Sequence, residues 1–165
     1  MMNKKQVMID LYFEAGAGLY DSQVIEYNFK YLIYLLSKTQ LWDGDRETAK
    51  SILDGKTKHT LGQLFKFLRD KRILFLPDTE ERLEDALAAR NNLIHEYLAK
   101  NVALMMTKEG RHQMIKEIIE LRKRIQQGNK SVSELIEALL EPSVGKDKLA
   151  AIDEDLEKQF EKENW

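Results

Sequence analysis

Apolar and small residues recur along the start of the chain at alternating steps of three and four, the period of a helix that lies against a core. They fall on Met8, Leu11, Ala15, Gly18, Ser22, Ile25, Phe29, Leu32 and Leu36, and the register passes both Gly16 and Gly18 without a slip. A loop between two helices breaks phase. The pattern therefore predicts one helix from about Lys4 to Lys38, bent near the two glycines, with Ala15, Gly18 and Ser22 admitting another backbone at its middle. Two shorter helices are the alternative, because a glycine costs about 1 kcal/mol against alanine inside a helix.

Further along, Gly44 and Gly55 bracket a short helix at Glu47 to Leu53. Thr60-Leu61-Gly62-Gln63 has the form of a capping box and opens a helix to about Arg72. Pro77 and Asp78, followed by Glu80 and Glu81, mark the start of another that runs to about Lys100. A further helix begins near Thr107 and carries Met114, Ile118, Leu121 and Ile125. Past Gly128 the same register reaches Val132, Leu135 and Leu139, which favours a bent continuation, although Ser131 to Glu134 also reads as a fresh capping box. Pro142 and Gly145 end that element. Leu149, Ile152, Leu156 and Phe160 then give a last amphipathic helix with a charged outer face. The expectation is one all-α domain over residues 1–165, a mostly antiparallel bundle of about five helices. The helices starting near 4, 77 and 107 form its core, and the segment from about 145 lies at the periphery.

Composition narrows the chemistry. The 165 residues include no cysteine, so disulfides, thiolate metal sites and cysteine nucleophiles are excluded. Asp10 and Glu14 interrupt the segment behind Lys4 and Lys5, which argues against a signal peptide, and the apolar run Tyr31 to Leu36 is far too short to span a bilayer. A cytoplasmic protein without a membrane association is expected. Net charge is −2, which supplies no global field for nucleic acid. Locally, Asp54 to Arg72 holds six Lys/Arg against two acids and Thr107 to Lys130 seven against three, while Asp78 to Asp85 and Asp153 to Glu163 are acidic. Such blocks read first as solvated helix faces.

One run carries pointed chemistry. The helix after Pro77 has an apolar stripe at Leu83, Leu87, Ile94 and Tyr97, and Arg90 stands where the next apolar residue belongs. A guanidinium there must pair with an acid, reach a solvent-filled cleft or face another subunit. Glu14, Glu26 and Glu84 are the candidate partners for a purely structural pair. Asn91 and His95 are an i, i+4 pair, so Arg90, Asn91 and His95 can line one side of a groove. Histidine can move a proton to or from a ribose hydroxyl near neutral pH, and arginine can neutralise charge on a phosphate, with Asn91 orienting either. No cofactor or metal is called for. His59 and His112 are expected on the surface, and Tyr12, Tyr20, Tyr27, Tyr31 and Tyr34 are expected to pack the bundle. Trp42 and Trp165 interleave with no basic stripe and give no base-stacking platform.

Arg90-Asn91-x-Leu93-x-His95-x-Tyr97 resembles the signature of HEPN domains: Arg, a polar residue, a short spacer and His, on a helix of a small bundle. The resemblance implies a metal-independent endoribonuclease of a toxin–antitoxin or other defence system that leaves 2′,3′-cyclic phosphate ends. It also implies Arg90, Asn91 and His95 as the catalytic set, an RNA substrate, a separate antitoxin or regulatory protein as partner, and a homodimer whose two motifs meet. Other domains of this kind are non-catalytic helical dimers that bind a partner protein or a small ligand, and that reading stands beside the first. Ala86, Ala89 and Leu93 form a second apolar face of the same helix and are the expected site of the two-fold contact.

Overall fold

A computed structural model describes residues 4–38, 46–57, 59–70 and 78–145, and beyond them positions 147, 148, 150–152, 154, 155 and 158. Among these residues the chain is helical and contains no strand. Helix α1 spans Lys4–Lys38 without a break, about 50 Å at ~1.5 Å per residue. Its buried positions Leu11, Ser22, Ile25, Phe29, Leu32 and Leu36 follow the register seen in the sequence. From Leu32 to Ser37 every residue is buried, because α2 (Arg46–Leu53) and α3 (Leu61–Asp70) also pack against this end of α1. Phe65 of α3 meets Phe29 edge to face, with ring centroids 6.4 Å apart.

The start of α3 is the capping box anticipated from Thr60 and Gln63. The Thr60 N–H donates to Gln63 Oε1 at 2.8 Å, and the Gln63 N–H donates to Thr60 Oγ1 at 3.2 Å. Each side chain thus satisfies a backbone donor that the helix leaves open. Thr60→Ala removes one half of the pair and is expected to cost about 1 kcal/mol, read from urea denaturation.

Helix α4 (Thr79–Asn91) passes into a π-helical segment, Asn92–Tyr97, and a last α-turn, α5 (Leu98–Lys100). Pro77 lies outside the described residues. Asp78 precedes the helix, but its side chain makes no cap hydrogen bond. Its backbone is left-handed, φ 64°, whereas a capping side chain reaches the first-turn N–H groups from extended backbone. Glu80 and Glu81 do occupy the first turn. A 3₁₀ segment, Val102–Met106, leads to α6, Lys108–Val144. Thr107 caps α6, its Oγ1 accepting the Gly110 N–H at 3.0 Å. Helix α6 continues through Gly128, so Ser131 lies buried inside it and starts no new helix, and Gly145, at φ 80°, follows its end. Leu149, Leu156 and Phe160 lie outside the described residues. Ile152 packs half-buried on the core.

The core is built from α1, α4 and α6. Glu26 pairs with Arg90 and Gly18 abuts Leu93, so α1 and α4 run antiparallel. Asp85 pairs with Arg124 and Tyr97 reaches Glu117, so α4 and α6 are antiparallel too, leaving α1 and α6 parallel. Arg122 fastens these last two, its Nε donating to Asp21 at 2.8 Å and its Nη1 to Glu14. The acidic first half of α4 faces the basic blocks: Arg69 lies 3.5 Å from Glu84, and Arg124 bonds Asp85. These pairs are about half exposed, so they set register more than stability.

Candidate functional site

Packing turns α4 away from the face its sequence suggested. Its buried residues are Thr79, Leu83, Ala86 and Ala89, continued by Leu93 and Tyr97 in the π-segment, whereas Leu87, Arg90 and Ile94 are half-buried along one edge. The small side chains Ala86 and Ala89 let α6 approach, so this face is consumed inside the chain. Ala86 and Ala89 are both 0% exposed, which removes the face expected to join two subunits. Arg90 consequently sits at the margin of the core.

The π-segment brings the motif together. In an α-helix His95 would point about 140° away from Arg90; i→i+5 bonding widens the turn and stacks residues five apart much as an α-helix stacks residues four apart. Arg90 Nη1 lies 3.2 Å from His95 Nε2 and donates to Asn91 Oδ1, also at 3.2 Å. A guanidinium only donates, so a hydrogen bond here takes the tautomer in which His95 Nε2 carries the lone pair. Asn91 and His95 are exposed.

Arg90 Nη2 donates to Glu26 Oε2 on α1 at 3.2 Å, and the other oxygen of Glu26 accepts from Lys30 Nζ at 2.9 Å. Of the three acids named as candidate partners, Glu26 is the one that meets Arg90; Glu14 bonds Arg122 and Glu84 lies by Arg69. Two cations share one carboxylate, leaving the cluster about one positive charge. Arg90 Nε is buried without a hydrogen-bond partner among the described residues. Lys30 was not singled out in the sequence, although its i, i+4 spacing from Glu26 is the signal that could have found it.

Arg90, Glu26 and Lys30 line a cleft of about 370 Å³ between α1 and α4, with Leu19, Ser22, Gln23, Tyr27, Leu53 and Ile94 as its other walls. A larger hollow of about 500 Å³ beside α2 is walled by Glu47, Thr48, Lys50, Ser51, Asp54, Lys56 and Thr57. It holds no arginine and no aromatic ring, whereas the smaller cleft has Arg90 and Tyr27; Asn91 and His95 are not among the residues that line it and meet it only through Arg90. Tyr97 points the other way. Its hydroxyl donates to Glu117 at 2.6 Å, and burial together with the Glu117 carboxylate pushes the phenol well above its ordinary range. The hydrogen bonds from Tyr97 and Gln113 hold Glu117 below the usual carboxylate range. Tyr97 is therefore an anchor that ties the π-segment to α6.

His59 is half-buried, its Nδ1 3.4 Å from the Thr57 carbonyl, and His112 lies against the Lys108 carbonyl; neither lines the cleft, and the bonds they make are local. Trp42 and Trp165 lie outside the described residues. Among the described residues no three His, Asp or Glu side chains gather as a metal-binding group, and no helix is long and apolar enough to cross a membrane. Of the five tyrosines expected to pack the bundle, Tyr34 is buried and Tyr31 half-buried, but Tyr12, Tyr20 and Tyr27 are exposed on the outer side of α1. No family model, no curated protein and no solved structure matches the chain.

Proposed function

We propose that the chain is a metal-independent endoribonuclease whose active site is the Arg90, Asn91, His95 cluster at the edge of the α1–α4 cleft. The observation that carries this reading is an exposed imidazole whose Nε2 lies 3.2 Å from a guanidinium. His95 Nε2 takes the proton of a ribose 2′-hydroxyl. The 2′-oxygen then bonds to phosphorus while the bond from phosphorus to the 5′-oxygen breaks, and the proton returns to that oxygen. The products are a 2′,3′-cyclic phosphate and a 5′-hydroxyl. Arg90 exchanges its contacts with His95 and Asn91 for the non-bridging oxygens, where negative charge accumulates. Glu26 keeps the guanidinium in place meanwhile, and Lys30 prevents that carboxylate from cancelling the positive charge. A toxin-like role, with a separate antitoxin covering the cleft, belongs to the same reading, as does a cytoplasmic location.

The second reading is a non-catalytic helical module that binds a partner protein or a small ligand. It is favoured by the in-chain pair of Arg90 with Glu26, which already satisfies the charge. Incubation with single-stranded RNA separates the two. The nuclease reading expects cyclic phosphate ends in excess EDTA and an intact DNA oligomer of the same sequence, because DNA lacks the attacking hydroxyl. Dependence on added magnesium, equal cutting of DNA, or no cleavage of any RNA offered would sink it.

A further inference from the structure

The polar wall of the α1–α4 cleft has hydrogen-bonding capacity of both signs left over. Glu26 accepts from Lys30 Nζ at 2.9 Å and from Arg90 Nη2 at 3.2 Å. A carboxylate offers about four acceptor positions, so about two stay open among the described residues. Lys30 bonds Glu26 through one of its N–H groups, and its other donors meet no partner among the described residues. The two side chains are 18% and 26% exposed, so this spare donor and acceptor lie side by side in a largely desolvated place, where a hydrogen bond discriminates strongly. The rest of the wall is of another kind. Leu19 and Ile94 are apolar, and Tyr27 is 41% exposed, with Tyr31 stacked on it at an interplanar angle of 7° that holds the plane of its ring. The volume of about 370 Å³ lies within the ~300–1,000 Å³ of small-ligand sites.

We infer that the cleft is a guanine-binding subsite. In the nuclease reading, on which its role rests, it holds the base of the nucleotide whose 2′-hydroxyl meets His95. Proteins read an unstacked base by laying it on aromatic and apolar side chains and by bonding its Watson–Crick edge. On that edge guanine presents a carbonyl, O6, beside two donors, N1–H and the N2 amine. An ammonium next to a carboxylate is the complement: Lys30 donates to O6, and Glu26 accepts from N1–H and from the amine. Uracil has the carbonyl and one donor in the same order but lacks the second donor, so it ranks next. Adenine and cytosine set a ring lone pair, on N1 and N3, against the carboxylate, which leaves two acceptors facing each other without a proton.

The same guanidinium joins the base to the reaction. Arg90 holds Glu26 through Nη2 and faces His95 and Asn91 through Nη1. The carboxylate that meets the base and the imidazole that meets the 2′-hydroxyl are thus linked through one side chain, which assigns base and hydroxyl to one nucleotide. Its guanine stays on the cyclic phosphate end.

Calorimetric titration of the full chain with the 3′-monophosphates of guanosine, uridine, adenosine, cytidine and inosine tests the subsite without any cleavage. The guanosine form should bind at least ~10-fold more tightly than the adenosine and cytidine forms, with uridine between them. Inosine differs from guanosine by the N2 amine alone and should bind ~10-fold more weakly, the usual factor for a hydrogen bond to a charged group. Lys30→Met keeps the reach of the side chain and removes the donor to O6. The charge it loses weakens all five ligands alike through the phosphate, so the ratio of guanosine to adenosine affinity isolates the base contact, and it should fall ~10-fold. Glu26→Gln turns one acceptor into an amide donor and should lower the same ratio to a similar extent. The inosine comparison uses the wild-type chain and decides the matter even where a variant fails to fold. No binding, equal affinity for all five nucleotides, or a guanosine preference unchanged in folded Lys30→Met and Glu26→Gln would overturn the inference. RNA cut to cyclic phosphate ends bearing every base would overturn it too, yet leave the nuclease reading in place. Guanosine-selective binding by a chain that cuts no RNA would support the subsite and sink the nuclease reading instead.

Discussion

His95→Ala is expected to lower RNA cleavage at least ~100-fold, the usual consequence of losing a general acid or base, while leaving the protein folded. The two halves of that expectation come from different observations. His95 is exposed, and its hydrogen bond inside the chain is an exposed one with Arg90. Exposed substitutions of this sort shift stability by ~0.5 kcal/mol or less, a degree or two in the thermal midpoint for a chain of this size. Arg90 keeps its bond to Glu26 in the variant, so the cation of the site survives without its base. A fall in kcat with an unchanged midpoint supports the acid–base role. Cleavage that persists in His95→Ala removes the mechanism, and a variant that unfolds makes His95 a structural residue.

The elements of the fold were legible where local chemistry decides them. The unbroken register of α1 and the Thr60-Gln63 box depend on residues close in sequence, and both occur as read. Asp78 shows the limit: its residue type suits a cap, but a left-handed backbone sends the side chain elsewhere. The face of α4 was harder still. Leu87 and Ile94 are the larger apolar residues and pulled the expected stripe toward themselves, whereas close packing on α6 selects Ala86 and Ala89. Periodicity weighs hydrophobicity, while helix contact also weighs size. Arg90 was identified as an anomaly by its position alone. Its meeting with His95 needed a π-segment that no spacing rule announces, and its choice of Glu26 among three acids is a tertiary fact. The outward tyrosines of α1 were misjudged for a related reason. A helix with apolar residues on two faces gives no sequence signal for which one the bundle covers.

Gly128→Ala is expected to destabilise the protein by about 2 kcal/mol, against the sign of helix propensity, which favours alanine by about 1 kcal/mol inside a helix. Position 128 is where α1, α4 and α6 meet. A Cβ built there would stand 2.2 Å from the Cβ of Ala86 and 3.1 Å from Cδ1 of Ile25. Ile25 can turn its terminal methyl aside. Ala86 has no rotatable side chain, so relief requires α4 to move off α6, opening contacts along both helices. At Gly18 the closest atom to such a Cβ is Leu93 Cδ2, 2.6 Å away at the end of a flexible side chain, so Gly18→Ala should cost less. For a chain of this length 2 kcal/mol corresponds to a fall of roughly 4–8 °C in the thermal midpoint. The double variant Gly128→Ala, Ala86→Gly restores one methyl group to the contact from the opposite helix and should recover part of the loss, so the two changes are non-additive. A stabilised Gly128→Ala protein would mean that α4 and α6 do not pack this closely, and Arg90 would then lack the framework that sets it at the edge of the cleft.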